Sequence, residues 1–132
     1  MTPQDSVRAF LQERGCPQTV VRRGLRGLVE RWEQTVQEIR AGYRLGIDDY
    51  LNDMDGRQLI EEILRTVPAA GTPSLIRRVR DADAMLRPLL QPAPRCLWGM
   101  EAAAQHGWTP DRQWWYFQQP KSPGDELTDD LS

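Results

Sequence analysis

Residues 17–43, PQTVVRRGLRGLVERWEQTVQEIRAGY, carry the longest unbroken period in the chain. Val21, Leu25, Leu28, Trp32, Val36, Ile39 and Tyr43 recur every three or four positions, which on a 3.6-residue turn draws one apolar stripe. Arg22, Arg23, Arg26, Glu30, Glu33, Gln37 and Arg40 fall on the opposite side, where water solvates them. The stretch therefore reads as one long amphipathic helix on which the rest of the chain packs. Gly24 and Gly27 lie inside it, each costing about 0.8–1 kcal/mol against alanine. Close approach of a neighbouring backbone, that of the first helix, is the expected compensation.

Upstream, Thr2-Pro3-Gln4-Asp5 has the form of a helix start: a hydroxyl cap, a proline where no amide partner is needed, and an acid at the positive dipole end. Val7, Phe10 and Leu11 give that helix a small apolar face, and Gly15 followed by Pro17 turns the chain into the long helix. Downstream of Gly42 and Gly46, the residues Ile47, Tyr50, Leu51 and Met54 keep helical spacing. The phase then slips at Gly56 before Leu59, Ile60, Ile63, Leu64 and Val67 resume it, so a short helix, a break and a second helix are expected. Asp55 and Gln58 would cap the second start. Thr72-Pro73 repeats the first start signal and opens a helix bearing Leu75, Ile76, Val79, Ala82, Leu86 and Leu89, disturbed at Pro88. Residues 100–105 read as a short helix closed by Gly107. Gln113-Trp114-Trp115-Tyr116-Phe117 favours a strand by aromatic propensity, yet no pairing partner is visible, so a short helical or extended closing segment laid over the core is expected. The polar, acidic end, KSPGDELTDDLS, has almost nothing to bury and is expected to be disordered. The predicted architecture is all-α: a single compact helical bundle of about five helices over residues 1–119, with an aromatic-rich closing segment and an acidic tail at 120–132.

A chain of 132 residues suits one domain with its own core. Cys16 and Cys96 sit in no C-x-x-C or His-rich spacing, so neither a disulfide framework nor a zinc site is suggested. The N-terminus has no basic start followed by an apolar run, and nothing approaches the ~20 apolar residues of a membrane span, so a cytoplasmic protein is expected. A formal net charge of −2 excludes a globally basic nucleic-acid binder. No phosphate-binding glycine loop, H-E-x-x-H or serine nucleophile elbow occurs.

Four features invite a functional reading. Asp53, Asp55, Gly56 and Glu62 match positions 3, 5, 6 and 12 of a calcium loop, but the first ligand position falls on Leu51 and position 8 on Gln58, so no metal or other cofactor is expected. Asp48, Asp49, Asp53, Asp55, Glu61 and Glu62 stand against Arg57 alone, a local field that would steer a basic partner. Dipole-driven gathering of acids at helix starts is the plainer account. Cys16 lies at a helix start and His106 is the single histidine, but neither comes with an orienting group, and a buried small thiol is the commoner role. The crowding of Trp98, Trp108, Trp114, Trp115, Tyr116 and Phe117 implies that some aromatics leave the core, either as a cover or as interface anchors. Arg77, Arg80 and Arg87 share one side of their helix, interrupted by Asp81 and Asp83, with no nucleic-acid signature alongside.

The expected function is a small cytoplasmic protein-binding module, inhibitor- or immunity-like, that acts by stoichiometric occupancy rather than turnover. Asp48, Asp49, Asp53 and Asp55 would steer a protein partner, while Trp108, Trp114, Trp115 and Tyr116 would anchor it. Self-association through an apolar face is open. A nucleic-acid-associated factor using the arginine side is the alternative, and a small-ligand binder or thiol enzyme comes third.

Overall fold

Every residue of the stripe from Val21 to Tyr43 is buried, and the helix that carries it packs against its predecessor and its two successors. Fully burying one such side chain stabilises the fold by about 1.5–3 kcal/mol, so this seam is the main apolar contribution of any single element. The computed structural model describes residues 1–132. They form α1 (Pro3–Glu13), α2 (Gln18–Arg40), α3 (Ile47–Thr66), α4 (Pro73–Leu86), α5 (Met100–His106) and α6 (Asp125–Leu131), with strands β1 (Leu90–Pro92) and β2 (Gln118–Pro120). The architecture is an all-α bundle carrying one small two-stranded ladder. No helix is long and apolar enough to cross a membrane.

The Thr-Pro starts behave as their chemistry dictates. The Thr2 hydroxyl accepts from the Asp5 amide and the Asp5 carboxylate accepts from the Thr2 amide, while the Thr72 hydroxyl accepts from the Leu75 amide. Gly107, at φ 70°, ends α5 in the left-handed conformation.

Four expectations differ from the structure. The long helix is not continuous: Gly24 stands at φ 61°, ψ −152°, a conformation that a side chain resists, so α2 is two helical pieces joined at a glycine. That glycine serves backbone conformation and not close packing, because a Cβ there would meet only Val7 Cγ1 at 3.9 Å. Conversely, α3 runs unbroken through Gly56, with Asp55 and Gln58 capping nothing. The slip in its apolar period marks buried charges, Asp53 and Arg57, that find partners inside the fold. The segment before β2 is a single 3-10 turn, Trp114–Tyr116, and β2 does have a partner: it pairs antiparallel with β1, Gln91 opposite Gln119. Short, proline-bounded strands carry too little pattern to reveal that pairing. Finally, the acidic end is ordered as α6. Leu127 is wholly buried, the Gly124 amide donates to the Tyr43 carbonyl at 3.2 Å, and the Asp130 carboxylate accepts from the Ile47 amide at 2.8 Å. Leu127, the partly buried Leu131, the Gly124 amide and a carboxylate that caps the start of α3 together dock these seven residues.

Candidate functional site

Helix α3 projects three of its polar residues into different surroundings. Asp53 is buried and closed: Arg31 donates to its Oδ1 from Nη2 at 2.9 Å and Nε at 3.3 Å, and the Tyr43 hydroxyl donates to Oδ2 at 2.7 Å. Burial and the neighbouring Asp53 carboxylate push the Tyr43 phenol well above its ordinary value, so it stays a donor. Arg57 is also buried. Its guanidinium forks onto Asp83, Nε to Oδ1 at 3.1 Å and Nη2 to Oδ2 at 2.9 Å, and lies 4.4 Å over the Trp115 ring. The Trp32 indole N–H adds a third donor to Asp83 at 2.9 Å.

Asp55 is different. Its Oδ1 accepts from the Tyr116 hydroxyl at 2.6 Å and the Trp98 indole N–H at 2.9 Å, and no cationic side chain pairs with it. The carboxylate faces a groove of about 1200 Å³ whose floor is α3 from Asn52 to Glu62. One wall is the corner between α1 and α2 around Cys16 and Pro17; the other is the excursion between the two strands, through Trp98, His106 and Trp108. That wall is an aromatic stack: His106 lies 4.6 Å from Trp108 with planes 17° apart, and Trp108 lies 4.2 Å from Tyr116 with planes 26° apart. Trp98, which lines the groove, is 45 % exposed, and Met100, two residues on and outside the lining, is 57 % exposed.

The residues expected to bind are thus divided. Asp48 and Asp49 are exposed in the first turn of α3, and Trp108 is half-buried in the groove wall. Asp53 is turned inward and saturated, so it cannot act as a free steering charge. Asp55 belongs to the groove, not to an open acidic face. Trp114, Trp115 and Tyr116 are core residues instead of exposed anchors. Three consecutive aromatics all find cover because their 3-10 turn sits at a junction of several elements: Trp114 lies under Arg87 at 4.7 Å, Trp115 under Arg57, and Tyr116 against Asp55. Trp98, in contrast, was missing from the expected anchors, and nothing in its local sequence distinguishes it from the other tryptophans.

A second acidic group forms where α6 meets the start of α3. Asp125, Glu126, Asp129 and Asp130 join Asp48 and Asp49 there, and none of the six forms an ion pair.

Cys16 and His106 both line the groove, on opposite walls, without a hydrogen bond between them. Burial pushes the Cys16 thiol up, more than Arg14 draws it down, so the thiolate is disfavoured and nucleophilicity is low. The calcium alignment would need Asp53 and Asp55 as ligands, but both already accept from protein donors. On α4, Arg78 is bound bidentately by Glu33 at 2.6 and 3.0 Å, which leaves Arg77 and Arg80 as the free cations of that helix, and Arg87, just past its end, covers Trp114. Comparison with family models, with curated proteins and with solved structures finds no match to this chain.

Proposed function

We propose that the protein is a non-catalytic binding module that takes a segment of a basic partner protein into the groove and acts by occupying that partner, in the manner of an inhibitor or immunity protein. The observation that carries this reading is the groove itself, a channel with one aromatic wall and a half-exposed Trp98 in its lining. Exposed tryptophan lining a concave surface of mixed polar and apolar groups is a usual composition of an interface hot spot. The unpaired acids of α3 and α6 support a basic partner, since such a field raises association rates. The high thiol pKa of Cys16 speaks for occupancy over covalent chemistry, and both cysteines are free, as suits a reducing cytoplasm.

The test places a photo-crosslinking side chain at exposed Met100, which lies in sequence between groove-lining Trp98 and Ala102, or at exposed Arg22 on α2 as a control. The expected result is one crosslinked protein at near-stoichiometric yield from position 100 and none from position 22. The same species from both positions, or none from either, ends the proposal. Association of the captured partner is expected to slow at low salt when Asp48 and Asp49 are changed to asparagine, with dissociation unchanged.

A further inference from the structure

Three carboxylates in this fold accept a hydrogen bond from an aromatic O–H or N–H. Asp53 takes one from Tyr43, Asp83 one from Trp32, and Asp55 one each from Tyr116 and Trp98. The first two are completed by an arginine of the chain: Arg31 on Asp53 at 2.9 Å and Arg57 on Asp83 at 2.9 Å. The third has no arginine. Both of its donors converge on Oδ1, so Oδ2 accepts from no protein group. The place beside it is open: a Cβ on Gly56 would meet no atom within 4 Å, and Trp98 is 45 % exposed with no cation over its ring.

We infer that Asp55 and Trp98 form a receptor for a guanidinium group, an arginine side chain presented by the partner, which completes from outside the carboxylate–aromatic–arginine set that the fold builds twice inside. The inference rests on the proposed protein-binding role. Its chemistry is drawn from the internal pair, because Arg57 shows what fits: a planar cation that stacks on an indole at 4.4 Å while donating to a carboxylate. Lysine supplies a point charge without the flat face, so it matches less well. The groove's own arginines do not occupy the position. Arg14 is held by Glu62, Arg31 by Asp53 and Arg65 by Glu61, and Arg112 lies on the exposed turn that follows Thr109.

The site is tested on the full chain by following the Trp98 indole N–H resonance, assigned with Trp98→Phe, while N-acetyl-arginine methylamide is added. The citrulline and lysine analogues serve as matched probes, the first isosteric but uncharged. A saturable shift with arginine, a weaker one with lysine and none with citrulline is expected. Asp55→Asn, which keeps an acceptor for Tyr116 and Trp98 but removes the charge, should weaken arginine binding by about tenfold or more. No movement with arginine, an equal response to citrulline or to lysine, or undiminished binding by Asp55→Asn overturns the inference. The two readings fail separately. Crosslinking from position 100 that is unaffected by Asp55→Asn removes the guanidinium site and leaves the binding module. An indole response without any crosslinked partner keeps the guanidinium site and removes the module.

Discussion

Asp53 and Asp55 stand two residues apart on α3 and meet opposite fates. Asp53 turns toward α2, where Arg31 and the Tyr43 hydroxyl leave neither oxygen free. Asp55 turns toward the groove, where two neutral donors hold one oxygen and leave the charge uncompensated. A helix places side chains two positions apart on different faces, so one element serves as strut on one side and as floor of a site on the other. The difference is one component: an arginine of the chain closes the first carboxylate and none closes the second.

The contrast breaks most decisively at Arg57. Arg57→Ala strips Asp83 of its fork and Trp115 of its cover, and a fall in unfolding free energy of about 3–5 kcal/mol is expected in a denaturant titration. A loss below about 1 kcal/mol would mean that the closed clusters do not hold the fold. Asp53→Asn leaves an acceptor for Tyr43 and leaves half-exposed Arg31 with Glu38 at 3.5 Å as its remaining anion, so the expected loss is smaller, about 2 kcal/mol. Asp55→Asn should cost under about 1 kcal/mol, because no ion pair is broken and both aromatic donors keep an acceptor. An Asp55 variant as damaging as the Asp53 one would erase the distinction between the two faces.

Alkali probes both faces together. The phenols of Tyr43, Tyr50 and Tyr116 are all pushed above their ordinary value of 10.0, first by burial and then by Asp53 or Asp55. The unfolded chain therefore releases these protons first, so stability is level below about pH 10 and declines above it. Tyrosinate absorbance from these residues should rise together with the loss of helical circular dichroism, not before it. The smallest effect belongs to the partly exposed pair Arg78–Glu33. Arg78 holds the Glu33 carboxyl below its ordinary 4.5, so the stability it lends is present above that value and fades as pH falls through the lowered one. Glu33→Gln should cost under about 1 kcal/mol at neutral pH and flatten that acid limb.

Periodicity made the frame legible. The stripe from Val21 to Tyr43 is buried throughout, and both Thr-Pro starts cap as their side chains allow. The site was not legible, because its members are brought together over distances that local pattern does not span: Asp53 meets Arg31, and Asp55 meets Tyr116. For the same reason an acidic run read as open surface when half of its named charges were already matched. The phase slip at Gly56 carried the missing information in another form, since polar residues that interrupt an apolar period inside a helix are residues with internal partners. The tail misled through composition: six of its last eight residues are polar, but the two leucines, buried Leu127 and partly buried Leu131, pack on the core.

The small ladder of β1 and β2 ties the excursion shut at its neck, with the Ala93 amide on the Phe117 carbonyl and the Leu97 amide on the Tyr116 carbonyl continuing the closure. Everything that departs from the helical frame to build the groove's outer wall leaves and returns through that one doorway. Insertions and replacements at its exposed positions, such as Gln105 and Asp111, are therefore expected to leave the helices beneath undisturbed, whereas buried Ala103 ties α5 to the core. That outer wall can change length while its two ends stay clamped together.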